Sequence, residues 1–214
     1  MLPSSRHSSS FVPVLPGDHD AAGANPLRES GSTSYGAALH GRVIEGLRKS
    51  GHQVDDCDLY AESFDPVMSA GERAAYRDTA LNKAPVASHA DRVLAAEALI
   101  LIYPVWNEGF PAILKGFFDR VFIPGVSLTM SSDGACVPSL GGLKKLAAVC
   151  TYGADRFTSF VLGDPPRRVV KRLLRATAGH RVTCEYIAHY DMNHTTSARR
   201  GAFLDKVQHA FEAW

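Results

Sequence analysis

Hydrophobic residues in this chain change their period several times, and each change marks an element. Tyr35, Ala38, Leu39, Val43 and Leu47 recur at helical intervals behind the hydroxyl run Ser32 to Ser34 and ahead of Gly51, which predicts a capped amphipathic helix. Val54 to Tyr60 is a short strand, and Ser69 with Glu72 three residues on is the capping-box signature of a second helix. Ser88 and Asp91 open a third. Ala98-Leu-Ile-Leu-Ile-Tyr-Pro-Val105 runs apolar without alternation, the pattern of a strand covered on both faces. Phe110 to Phe122 returns to helical spacing with Pro111 in its first turn, and Leu146 to Thr151 is another continuous apolar strand. Asp164-Pro165-Pro166 caps and starts a helix carrying Val169, Val170, Leu173 and Leu174. Val182 to Tyr190 alternates like a strand, and Arg199 to Trp214 closes with a helix built on Phe203, Val207 and Phe211.

Strands alternating with helices predict an α/β fold, a doubly wound parallel sheet of about five strands covered on both faces. Ligands of such sheets sit beyond the carboxyl ends of the strands, so the loops 104–110 and 151–164 are where chemistry is expected. Residues 1–32 are rich in Ser, Pro and Gly and read as an irregular N-terminal segment, with the folded domain over 33–214. The weak point is the first strand, which belongs in the middle of the sheet. Its candidates are Phe11-Val-Pro-Val-Leu15, where Pro13 removes a ladder donor, and Ala21 to Ala24, whose side chains are too small to fill a core. Nineteen residues separate Leu15 from Tyr35, against the ~2–6 usual for such connections. Strand one is therefore expected to be degenerate or poorly formed.

Composition removes several classes of function. Lys plus Arg number 23 and Asp plus Glu 22, and the net charge of +1 gives no electrostatic reason to bind nucleic acid or an anionic membrane. No apolar run approaches the ~20 residues that span a bilayer, and residues 1–30 lack the apolar stretch of a secretory signal, so the expected compartment is cytoplasmic. Cys57, Cys136, Cys150 and Cys184 are widely spaced with no CxxC pair and read as free thiols. Among nine histidines the tightest grouping is His189, Asp191 and His194, too weak a spacing to assign a metal, and none is assigned. Arg167, Arg168, Lys171, Arg172 and Arg175 read as a solvated helix face.

The loop after the third strand is Pro104-Val105-Trp106-Asn107-Glu108-Gly109, between a buried strand and a helix. A fixed exit, a large flat face at Trp106 and a glycine permitting close backbone approach suit a planar heterocycle lying against main-chain amides; Trp106 packing its own loop is the plainer alternative. The stretch Pro104-Val-Trp-Asn-Glu-Gly-Phe-Pro-Ala-Ile-Leu-Lys-Gly-Phe-Phe-Asp-Arg-Val-Phe122 resembles the signature of the flavodoxin-like NAD(P)H:quinone oxidoreductases of the DT-diaphorase type. Thr151-Tyr152-Gly153 looks like that family's second flavin loop, Thr33-Ser34-Tyr35 like its hydroxyl-hydroxyl-aromatic phosphate element, and Asp191-Met-Asn193 like the tails of its bacterial members.

The resemblance implies a bound flavin, FAD rather than FMN, which takes a hydride from NAD(P)H and passes two electrons to a quinone or similar acceptor. By position in the motifs, Pro104, Val105, Trp106, Asn107 and Glu108 would line the flavin ring, Thr151, Tyr152 and Gly153 would approach its pyrimidine side, and Thr33, Ser34 and Tyr35 would hold phosphate at a helix N-terminus. The same Ser32 to Ser34 hydroxyls also suit a plain helix cap. No acid or base is assigned. The resemblance further implies a homodimer, and the apolar Phe110 to Phe122 helix with Ile123 to Val126 offers more apolar surface than one sheet face needs. Three departures from the family pattern bear on activity. Gly36 follows the aromatic where the family carries Asn, no histidine stands close ahead of it, and Asn107 and Glu108 replace aromatics. A carboxylate beside a reduced, anionic ring opposes charge build-up unless it turns away. The alternative reading is a non-catalytic ancillary protein or decayed paralogue with the same scaffold and poor flavin binding.

Overall fold

In the computed structural model, which describes residues 9–14, 34–131, 133, 135–179 and 181–214, the first described element is strand β1 (Ser9–Val14). Helix α1 (Tyr35–Lys49) follows, with Ser34 as its cap: Ser34 Oγ accepts from the Ala37 N–H at 3.2 Å. Strand β2 (Gln53–Asp58) leads to α2 (Ala70–Ala75), where Ser69 and Glu72 make both bonds of the capping box. Next come α3 (Ala87–Ala95), β3 (Ala98–Pro104) and α4 (Ala112–Val121), then a small antiparallel hairpin of β4 (Leu128–Met130) and β5 (Cys136–Pro138). Strand β6 (Lys145–Thr151) is followed by the short α5 (Arg156–Val161), capped by the Asp155 carboxylate. Helix α6 (Pro165–Arg168) passes through a π-helical stretch, Val169–Leu174, into α7 (Arg175–Ala178). Strand β7 (Thr183–His189) and helix α8 (Ser197–Glu212) complete the chain.

The five long strands form one parallel sheet in the order β2-β1-β3-β6-β7. Its middle strands are buried on both faces, which is why β3 and β6 carry unbroken apolar runs. On one face Val12, Ile100, Ile102, Ala147 and Val149 pack under α1 and α8; on the other Phe11, Leu99, Leu101, Leu146 and Ala148 pack under α3, α4 and the 165–178 helix. Full burial of the Val, Leu, Ile and Phe side chains among these contributes about 1.5–3 kcal/mol each. At Gly46 a Cβ would stand 2.8 Å from the Gln208 carbonyl oxygen, so only glycine lets α1 and α8 approach this closely.

The central slot is filled, which corrects the expectation for strand one. β1 pairs with β2 at all six positions, and Phe11 and Val12 are buried on opposite faces of the sheet. Tertiary context supplies what propensity lacks: the Phe11 ring lies 6.3 Å from Phe117, with the Arg92 guanidinium 4.9 Å above it. The expected irregularity survives only as a gap, since pairing with β3 holds at Ser10, Phe11 and Val14 and lapses at Val12 and Pro13. The sheet thus reaches into the segment read as irregular, while the candidate strand at Ala21 to Ala24 lies outside the described residues. The apolar excess expected on α4 is also corrected. Phe117, Ile123 and Val126 are buried within the chain and Phe118 nearly so, because α4 faces the aromatic cluster rather than solvent.

Candidate functional site

The C-terminal ends of β3 and β6 are clasped together. The Val105 N–H donates to the Thr151 carbonyl at 2.8 Å, extending the ladder one residue past β3 and setting the two loops side by side. The first loop then reverses tightly. Trp106 and Gly109 exchange both backbone hydrogen bonds, at 3.1 and 2.8 Å, around Asn107 (φ 48°) and Glu108 (φ 54°). Left-handed backbone at both central positions is the signature of a type I′ turn, tolerable for Asn and costly for Glu. This turn lifts Trp106 to 41% exposure at the lip of the sheet. Glu108 turns toward α5, where its Oε1 accepts from the Ser159 hydroxyl at 3.4 Å. Its Oε2 is buried and has no partner among the described residues.

In the second loop Thr151 is half-buried and Gly153 exposed, but Tyr152 points into the core. Its N–H donates to the His189 carbonyl, its carbonyl accepts from the Met192 N–H, and its hydroxyl donates to Asp164 Oδ1 at 2.6 Å. The Tyr186 hydroxyl lies 2.5 Å away, the Tyr190 ring stacks at 4.5 Å, and the Tyr190 hydroxyl donates to Asp164 Oδ2. Burial first, then the neighbouring Cys150 and Asp164, holds the Tyr152 phenol far above its ordinary value, so it remains a donor. Tyr152 therefore acts as a peg beneath the loop. Asn193, from the segment after β7, sits over Gly153, its side-chain amide 3.4 Å from where a Cβ would stand.

Ser34 caps α1, and Tyr35 lies half-buried at the same end of the sheet; its hydroxyl is 2.9 Å from His189 Nδ1 and donates to the Arg200 carbonyl. Burial, with the charges of Arg200 and Arg199, keeps the His189 imidazole below its usual range and neutral. Thr33 lies outside the described residues. His189, Asp191 and His194 do not converge: Asp191 pairs with His194 at 2.6 Å while His189 is spent on Tyr35 and Thr195. The basic helix face is partly internal, since the Arg167 guanidinium lies 5.5 Å from the Tyr186 ring centre and Arg175 Nε donates to the Val182 carbonyl. Ser159, Tyr186 and Tyr190 were given no role by the sequence, and Asp164, expected to cap the next helix, makes no side-chain cap bond and instead accepts from the Tyr152 and Tyr190 hydroxyls. Asp164 (φ 44°) stands in left-handed backbone between Gly163 and Pro165, as Asp191 (φ 60°) does after β7.

Residues 24–208 match the profile of a family described as having a flavodoxin-like fold. An uncharacterized NAD(P)H oxidoreductase of Haemophilus influenzae is 35% identical over 129 residues, 59% of this chain and 62% of that protein. The chain thus spans under two thirds of that relative's length. An FMN-dependent NADH:quinone oxidoreductase of Caldicellulosiruptor saccharolyticus is 26% identical over 153 residues, 71% of this chain and 76% of the relative. Among solved structures, Smu.1420 from Streptococcus mutans superposes with a TM-score of 0.78 at 27% identity, covering 97% of this chain and all of that one.

Proposed function

Because this chain belongs to the flavodoxin-like fold family, we propose that it is a flavin-dependent NAD(P)H:acceptor oxidoreductase with the cofactor at the C-terminal ends of β3 and β6. The observation that carries this reading is the Val105–Thr151 clasp, which sets a Trp-bearing loop and a Gly-bearing loop side by side where an open parallel sheet binds its ligand. The residues fit such a group. Trp106 offers an exposed flat face, Gly153 leaves the backbone bare, and the orphaned Glu108 Oε2 is an acceptor that an N–H of the ring or of a substrate would satisfy. When bound, a flavin supplies hydride acceptance from NAD(P)H and two-electron delivery to a quinone or comparable acceptor.

The chain's own part is to hold and orient. Pro104 fixes the exit from β3, Val105 and Trp106 would hold the ring, and Asn107 and Glu108 would shape its edge. Thr151 and Gly153 would approach the pyrimidine side, with Tyr152 setting their height from below. Ser34 and Tyr35 would hold the phosphate, where the first-turn N–H groups of α1 favour an anion, and the resemblance adds Thr33 to them. The relative named FMN-dependent favours FMN over the FAD implied by the resemblance. A homodimer is retained on a different surface, the outer side of α5, where Phe157 and Phe160 are each 75% exposed. Four free cysteines accord with a cytoplasmic setting, and among the described residues no helix is long and apolar enough to cross a membrane. The decayed-paralogue reading loses its main ground once β1 fills the centre of the sheet.

The test is to purify the protein, release its flavin with acid, separate FMN from FAD by chromatography, and follow NADH and NADPH oxidation with a quinone. One FMN per chain and quinone-dependent oxidation are expected. A colourless protein that takes up neither flavin and oxidises neither nucleotide overturns the reading.

A further inference from the structure

On the edge strand β2, separated from β3 by β1, three side chains distant in sequence gather ligand atoms. Cys57, next to last in β2, is fully buried; Glu62 lies in the turn that follows; His89 comes from α3. The Cys57 sulfur, a Glu62 carboxylate oxygen and a His89 imidazole nitrogen all lie within 4.8 Å of one another. Bonds of about 2.0–2.3 Å place neighbouring ligands of a tetrahedral zinc ion roughly 3.3–3.8 Å apart. Side-chain adjustments on the order of 1 Å would close such a site.

A second observation points to a shared ligand. His89 Nε2 is buried and pairs with Glu62 Oε2 at 3.0 Å, but makes no aligned hydrogen bond among the described residues. The imidazole is fixed in this pose by the rings of Phe64 and Phe117, which meet it edge-on at 5.0 and 6.0 Å. A buried nitrogen and a carboxylate oxygen paired this closely can serve as two ligands of one cation.

The charges allow it. Arg92 donates Nη1 to both Glu62 oxygens at 2.9 and 2.8 Å, and Nε and Nη2 to Asp55. Asp55 offsets the guanidinium, leaving the Glu62 charge over; a divalent ion bound to that carboxylate and to a Cys57 thiolate would bring the cluster to neutrality. A carboxylate has about four acceptor positions, so Glu62 can keep Arg92 behind it and still coordinate, and the guanidinium then orients the ligand as outer partners commonly do. We propose that Cys57, Glu62 and His89 form a site for a zinc-class divalent metal, with water in the fourth position. The mixed sulfur, nitrogen and oxygen set selects a borderline ion over Mg²⁺ or Ca²⁺. As the metal–sulfur bond forms, the thiol proton passes to solvent; nothing is oxidised or reduced. The bound ion would tie the end of β2 to α3, independently of the flavin reading.

Tag-free protein, with whatever flavin it retains, is titrated with Zn²⁺ by calorimetry and examined by zinc-edge X-ray absorption. One zinc per chain is expected, with a single sulfur neighbour at about 2.3 Å and the rest N or O at about 2.0–2.1 Å. Cys57→Ser should abolish the sulfur shell, and His89→Gln and the exposed Glu62→Gln should each weaken binding by about tenfold or more, as changes around metal ligands commonly do. Wild-type protein that binds no zinc, zinc without a sulfur neighbour, or a sulfur shell that survives Cys57→Ser would each overturn the proposal. The first two outcomes are read on the unaltered protein, so a variant that fails to fold does not protect the idea.

Discussion

Two residues of the first loop bear opposite burdens. Trp106 supplies surface at no backbone cost, and Trp106→Ala should remove about 0.5–1.5 kcal/mol of ring contact. Flavin retention should then weaken about two- to tenfold, measured by equilibrium dialysis. Trp214→Ala, which strips a half-buried ring packed on Phe211 and His52, should leave retention unchanged; equal loss in both variants would remove the loop from the site. Glu108 instead pays in backbone strain. Glu108→Gly creates Asn-Gly, the preferred type I′ pair, and should raise thermal stability by about 0.5–1 kcal/mol, while the turn keeps its register. The prominence of Trp106 was legible because flat aromatic surface and a following glycine stand next to a strand end. The inward turn of Tyr152 was not, because β6 is apolar on both faces and offers no alternation from which to count the next side chain's direction.

Among the elements, β1 makes the sharpest claim. Phe11→Ala should cost about 3–5 kcal/mol if the strand sits in the core as described, read as a shift in denaturation midpoint. A silent substitution would put the strand outside the sheet. The elements legible in sequence were those whose burial is continuous or whose caps are chemical: β3, β6, α1 and the Ser69–Glu72 box. Those missed lack such marks. The β4–β5 hairpin has exposed, three-residue strands, and α5 turns Phe157 and Phe160 outward, so its apolar residues do not report a core. The helix after Asp164 was legible in place but not in kind, because apolar spacing does not distinguish the π stretch from the α turns around it.

At the scale of the molecule, the α5 face should control assembly. Changing Phe157 and Phe160 together to Ser should convert a dimer seen by light scattering at micromolar concentration into a monomer; a wild-type monomer would remove the interface. Acid sensitivity is a second property of the whole. Burial, first of all, holds His52 and His189 below the ordinary 6.5, with Lys145 adding at His52 and Arg200 and Arg199 at His189. The unfolded chain therefore binds more protons there than the folded one. The stability these groups contribute is full above about pH 6.5 and is lost as pH falls through their lower folded-state values. Denaturation midpoints should drop between pH 7.5 and 5.5, with a smaller drop in His189→Asn. The gapped central strand has a further consequence, in the order of synthesis. β1 pairs with β3, which begins 84 residues after Val14. At ~5–20 residues per second of elongation, Phe11 and Val12 leave the ribosome roughly 4–17 s before the strand that covers their second edge. During that interval a strand buried in the finished sheet is an exposed, sticky segment, and expression yield should depend more on chaperone supply than on the stability of the native state.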